Sequence, residues 1–191
     1  MSVILGGKFG INWQDSTSVS NHNLAEVRSA IIKKLRQGNE WEALYWALEL
    51  LDTGKELARS FWDDLEVFAL EDVGLANPEA LIQVQATRSL HEHLPIHDKR
   101  RYLSVASIIC YLARSKKTRY QNEILADVQH ARNSRAVQLE IPDEALDMHV
   151  RRGRRLGRGL LHYLTVAARL ANKIPFPLRY QRRLIARAKG E

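Results

Sequence analysis

Apolar residues recur at helical spacing along most of the chain, and short polar or glycine-bearing gaps punctuate them. Leu24, Val27, Ile31 and Leu35 form one stripe that ends near Gly38. Asn39 then suits an N-cap, and the helix it opens is apolar nearly all round, with Trp41, Leu44, Trp46, Ala47, Leu48 and Leu51. Such a helix is expected to be buried on most faces, and Gly54 stands where a left-handed C-cap residue belongs. Leu57, Phe61, Leu65 and Phe68 make the next stripe, with Asp63, Asp64 and Glu66 opposite and Gly74 at its end. Asn77, Pro78 and Glu79 supply an N-cap, a first-turn proline and a first-turn acid. Asp98 can cap a further helix with Leu103, Ala106, Ile109, Cys110 and Ala113 facing inward, and Tyr120, Ile124 and Val128 mark a sixth, running to about Arg135. Ile141-Pro142 breaks the pattern, and Asp143 can cap a short helix through Met148. Leu160 to Ala171 reads as helix, as does Leu178 to Ala188 beyond two prolines. Residues 1–22, rich in Gly, Ser and Asn, read as a mobile arm in which Phe9, Ile11 and Trp13 alternate; folding onto its own domain would shelter the Trp.

Within those helices, Ala43-Leu44-Tyr45-Trp46 is followed by Glu71-Asp72-Val73-Gly74-Leu75-Ala76-Asn77-Pro78-Glu79-Ala80-Leu81, and then by Leu112-Ala113 with Lys117-Thr118. In that order the strings resemble the region behind the ATPase core of RarA/MgsA proteins, relatives of the Werner-helicase-interacting ATPase. The resemblance spans roughly Leu24 to Pro142, with an echo at Leu156-Gly157-Arg158-Gly159; Arg119 departs from the Asn expected after the Lys-Ser-like pair. It implies an all-helical collar that holds ATPases together as oligomers, most often tetramers. The phosphate-cradling GxxxxGK[ST] loop is absent, since Gly6-Gly7-Lys8-Phe9-Gly10 lacks its spacing and its hydroxyl. ATP-driven work is therefore expected to need a separate AAA+ ATPase.

A composition of 45% hydrophobic and 27% charged residues is that of an ordinary globule, and no apolar run is long enough to span a membrane. The short leader before the first charges is no signal peptide, so the expected compartment is the cytoplasm. Cys110, the one cysteine, rules out an internal disulfide and reads as a buried thiol. Charge distribution says more than the net +7. Residues 1–150 hold 17 Lys and Arg against 21 Asp and Glu, or −4, whereas residues 151–191 hold 12 against one, or +11. An acidic body with a basic end points to one surface built for a polyanion.

Arg151, Arg152, Arg154, Arg155 and Arg158 crowd eight positions, with Gly153 and Gly157 between them, and Arg179, Arg182 and Arg183 follow. Guanidinium groups grip phosphates bidentately, glycines permit close approach to a backbone, and Tyr163, Phe176 and Tyr180 could stack on unpaired bases. The competing reading is a solvated helix face, or arginines paired with the acidic body of this or a neighbouring subunit. Glu71 and Asp72 fall in the last turn of a helix, where acids are disfavoured, so a cation must meet them: an internal one such as Arg59, or one across a subunit boundary. Histidines at 91, 93 and 97 with Glu92 and Asp98 offer ligand-type side chains, but Pro95 breaks the spacing, and a solvated helix end accounts for them better. Asp147-Met148-His149 with His162 makes a weak case for acid–base chemistry.

The sequence thus predicts an all-α protein of six to eight helices: an arm over 1–22, a collar-like domain over 23–142 and a basic helical extension over 143–191. It is expected to be non-catalytic, without metal or cofactor. Trp41, Tyr45, Trp46, Glu71 and Asp72 would form its interface, and the tail arginines would meet DNA. A nucleic-acid-binding regulator on the same scaffold is the alternative.

Overall fold

Asn23 opens the first helix as its side chain dictates: Oδ1 accepts the amides of Ala25 and Glu26, and the helix α1 (Leu24–Gln37) closes on Gly38 at φ 73°. Its stripe of Leu24, Val27, Ile31 and Leu35 is buried, as the spacing predicts. The computed structural model describes residues 12–190 apart from 136, 174 and 176. The chain divides into two compact units, one ending at Asn133 and the other beginning at Ser134. Among the described residues both units are helical and no strand forms, so the fold is all-α.

In the first unit α2 (Glu40–Thr53) packs along α1 and also meets α3 (Lys55–Phe68) and α5 (Arg100–Arg114). Asn39 caps it through the Glu42 amide, as expected. It is not buried on most faces, however. Ala43, Ala47 and Leu50 face the core, while Trp41 is 72% exposed and Tyr45 46%. Small alanines bring α2 close to its neighbours on one side, and the aromatic rings lie on the sides those neighbours leave open. Gly54 is likewise not a left-handed cap. Its φ of −176° is extended, because α3 starts at the very next residue.

The apolar face of α3 is buried as predicted, with Trp62 added to Leu57, Phe61, Leu65 and Phe68. The chain then widens into a π turn (Ala69–Val73) and tightens into a 3-10 turn (Gly74–Ala76) before α4 (Ala80–His93). Asn77 does not cap α4 with its side chain. Its Nδ2 donates to Tyr111 Oη at 2.8 Å and Ser115 Oγ at 3.1 Å instead. Asp98 accepts the Arg100 amide at the start of α5, but the buried face there is Ser104, Val105, Ile108, Ile109, Leu112 and Ala113. Leu103 is 68% exposed and Cys110 only half-buried, so the expected inward face is rotated by about one position. The last helix, α6 (Tyr120–Asn133), buries no residue, leaving Tyr120, Ile124 and Val128 exposed. Ahead of α1, Trp13 packs on the core beneath the Arg28 guanidinium, 4.2 Å from the ring centroid; Phe9 and Ile11 lie outside the described residues.

The second unit holds a 3-10 turn (Asp143–Ala145), a short α7 (Arg151–Arg155), an α8 (Leu160–His162) that widens into a π turn (Tyr163–Ala167), and α9 (Arg179–Lys189). The helix expected to reach Ala171 thus ends at Ala167, and the one expected from Asp143 to Met148 is a single 3-10 turn.

Candidate interaction surfaces

The strings that carry the family resemblance come together around the π turn. Asp72, 3% exposed, accepts both Nε and Nη2 of Arg36 from α1, at 2.8 and 2.9 Å, with Arg119 Nε 3.4 Å away. Glu71 accepts from Arg119 Nη2 at 2.7 Å and Asn122 Nδ2 at 3.2 Å. The cations demanded by two acids at a helix end are therefore Arg36 and Arg119 of the same chain, while Arg59 lines a depression on α3. The hydrogen bond from Arg36 to Asp72 raises the guanidinium pKa above its ordinary value despite partial burial. Gln121 at the start of α6 donates to the Leu70 carbonyl and accepts the Leu75 amide. Lys117 Nζ donates to the carbonyls of Ala113 in the last turn of α5 and of Ser115 just beyond it, at 2.7 and 2.9 Å, and burial pulls its pKa down against the pull of Asp72. The motif thus pins α1, α5 and α6 to one turn.

A second feature is aromatic. Trp41 and Tyr45, one helical turn apart, stack with centroids 5.8 Å apart and planes 16° from parallel. Tyr45 meets the edge of Trp46 at 5.0 Å, and Trp46 meets His22 at 5.2 Å. The row runs from the half-buried Trp46 outward to the exposed Trp41. Ion pairs flank it: Glu40 with Arg114 at 2.7 Å and Glu42 with Lys34 at 2.8 Å, each holding its carboxyl below the usual carboxylate range. A ring stack with a charged border is the make-up of an interface centre and its rim.

The third feature is the arginine segment, and its members differ in what they do. Arg158 Nη1 donates to the carbonyls of Asp143 and Leu146 at 2.7 and 2.9 Å, and its Nη2 pairs with the Asp143 carboxylate. Arg154 Nη1 donates to the carbonyls of Met148 and His149 at 3.2 and 3.0 Å. These two clamp their own loop. Arg151, Arg152 and Arg155 are exposed, and their guanidinium groups have no hydrogen-bond or ion-pair partner among the described residues. Gly153 does not open the backbone to a ligand. It is buried, and a methyl carbon placed on it would lie 1.8 Å from the Asp147 carbonyl oxygen, so it serves close packing within the chain. On α9, Arg182 and Arg183 are exposed, and Arg179 lies over the Tyr180 ring at 4.6 Å; Phe176 lies outside the described residues.

The remaining candidates resolve into structure. His91 is buried rather than solvated, against the Trp62 ring and Ser104, whereas His93 is exposed and its Nδ1–H donates to the Ser89 carbonyl. Among the described residues no group of three His, Cys, Asp or Glu side chains could hold a metal ion. His149 Nδ1 sits 2.9 Å from Asp147, which it holds below the usual carboxylate range, and its ring abuts Tyr163 rather than a cleft. No helix among the described residues is long and apolar enough to cross a membrane. Arg36 and Arg119 as the partners of the motif acids were not legible in the sequence, since they stand 36 and 47 residues away from Asp72.

None of the curated proteins matches the chain. A family model described as MgsA AAA+ ATPase C terminal matches residues 39–170, which takes in the aromatic row, the acidic turn and the whole arginine segment, but stops short of α9. That span exceeds half of the 191 residues and runs beyond Pro142, where the resemblance in the sequence fades. The chain therefore belongs to the MgsA AAA+ ATPase C-terminal family, the C-terminal region of RarA/MgsA-type ATPases.

Proposed function

We propose that the chain is a non-catalytic module that self-associates, joins a AAA+ ATPase and brings cationic side chains to DNA during replication or repair in the cytoplasm. The observation that carries the reading is the Trp41–Tyr45 stack, which presents a large aromatic surface to solvent with ion pairs at its border. Burying each ring against a second copy would contribute about 1.5 to 3 kcal/mol, enough for a handful of such contacts to sustain a homo-oligomer. A tetramer is the form the family resemblance favours. Glu71 and Asp72, engaged with Arg36 and Arg119, would support that surface by fixing the turn rather than by crossing a boundary themselves. The unpartnered Arg151, Arg152 and Arg155, within a segment of net charge +11, favour a phosphate backbone as the second partner.

Light scattering on the intact chain tests the first half. A species several times the 21.9 kDa monomer is expected at micromolar concentration, and Trp41→Ala with Tyr45→Ala should shift it toward monomer. A monomer at every concentration would remove the self-association. The same charge asymmetry supports a second reading, a nucleic-acid-binding regulator that acts without an ATPase. Co-purification of an ATPase with the intact chain separates the two.

A further inference from the structure

The helix α9 lies beyond residues 39–170, so the family match does not account for it. Five of its 11 residues, Arg179, Arg182, Arg183, Arg187 and Lys189, are cationic, and none is acidic. Helical spacing gathers these cations on one side and sets Tyr180, Leu184, Ile185 and Ala188 on the other. The side chains of Arg182, Arg183, Arg187 and Lys189 are exposed, with no hydrogen-bond or ion-pair partner among the described residues. Arg179 engages only its own neighbour, its guanidinium 4.6 Å from the Tyr180 ring centroid and its Nη2 donating to Tyr180 Oη at 2.9 Å. The cationic side is therefore uncompensated along its whole length.

The apolar side is only half covered. The helix rests on α8 and the π turn that follows it, and Gln181, Ile185 and Ala188 are half-buried. Tyr180 and Leu184, one turn apart, stay 61% and 44% exposed, with Arg183 and Arg187 beside them at three-residue spacing. The second unit has no core of its own to take them, since Leu146 is its one buried apolar side chain among the described residues. Such a strip calls for a surface that is apolar and anionic at once. A nucleic-acid backbone neutralises arginines but gives Leu184 nothing to enter, and a protein groove would have to match the ring and the branched chain in shape. A bilayer with anionic headgroups sets negative charge directly above a fluid apolar layer that conforms to any side chain, and amphipathic helices with a basic polar face lie at that boundary.

We propose that α9 docks on the surface of a membrane that contains anionic lipid, with Tyr180 and Leu184 entering beneath the headgroups and Arg183 and Arg187 pairing with them. The contact is peripheral, because 11 residues of helix are too few to span a bilayer. It rests on neither the self-association nor the DNA contact of the arginine segment.

Co-sedimentation of the intact chain with vesicles at physiological salt tests it. Vesicles of phosphatidylcholine with about one third phosphatidylglycerol should retain the chain at least about tenfold better than vesicles of phosphatidylcholine alone. Tyr180→Gln with Leu184→Gln, both at exposed positions that spare the fold, should lower retention on the anionic vesicles about tenfold. A labelled DNA duplex, where the parent chain binds it, should be bound equally by this double variant. Absence of retention on anionic vesicles would overturn the proposal, as would equal retention on neutral ones. A double variant retained like the parent would do the same, since the cations alone would then make the contact. Parallel loss of vesicle and duplex binding in that variant would assign α9 to nucleic acid in place of lipid.

Discussion

Gly153 and Asp72 show how single positions are constrained by what lies against them. At Gly153 a methyl group would meet the Asp147 carbonyl at 1.8 Å, and the same backbone accepts the Leu156 and Arg158 amides, so neither side can move without losing a bond. Gly153→Ala should destabilise the second unit by about 1 to 3 kcal/mol or more, as overpacking does. Gly159→Ala, with nothing within 4 Å of the added carbon, should cost less than about 0.5 kcal/mol. Amide exchange at Leu156 and Arg158 reads the difference, and equal protection in the two variants would refute it. Asp72 is constrained by charge instead. Removing one partner of a buried pair costs about 3 to 5 kcal/mol, but Arg36 is 36% exposed and can recover water, so about 2 kcal/mol is expected for Asp72→Ala. Glu71→Ala faces the more exposed Arg119 and should cost under about 1 kcal/mol. Denaturant unfolding of both variants checks the order.

Among the elements, legibility followed how many neighbours shared the burial. The stripes of α1 and α3 were readable because each has one apolar face and one core to face, and all eight of their predicted inward residues are buried. The helix α2 defeated the same rule, since its apolar residues exceed what α1, α3 and α5 can cover, and periodicity alone cannot say which rings stay out. On α5 the inward face was misjudged by about one position because Ser104, polar but buried against His91, belongs to it. Glu49 is another buried polar residue of this kind: in a helix read as apolar, it anchors the segment before α1 by accepting from the Ser18 hydroxyl, the Ser20 amide and the Ser20 hydroxyl. Those bonds hold its pKa below the ordinary 4.5. A lowered carboxylate pKa means that the folded state releases its proton more readily, so the stabilisation is complete above about pH 4.5 and fades as pH falls through the lowered value. Glu49→Gln should lower stability at neutral pH by about 1 kcal/mol and flatten the decline on the acid side, which melting curves between neutral pH and pH 3 would reveal. An unchanged acid limb would mean that Glu49 contributes nothing to it.

For the whole molecule, the decisive quantity is where uncompensated charge resides. An acidic body of −4 and a basic end of +11 were plain in the sequence, but the division of labour among the arginines was not. Carbonyls contributed by residues 143–149 turn Arg154 and Arg158 into clamps, and no charge count distinguishes a clamp from a free guanidinium. If DNA is the partner, Arg151, Arg152 and Arg155 should carry the phosphate contacts of this segment. Each phosphate neutralised on a duplex releases about 0.9 counterions, so changing the three to Ala should flatten the slope of log K against log salt by about 2.7. The loss should be alike for all base sequences, because contacts to phosphate carry no sequence information. Arg158→Ala should act differently: with its carbonyl and Asp143 bonds gone the loop before α7 loosens, and amide exchange there should rise whether or not DNA is present. Fluorescence anisotropy of a labelled duplex over a salt series measures the slope. A triple variant that binds with its slope unaltered would place the exposed arginines against protein, and the acidic body of a neighbouring copy would then be the surface that takes them.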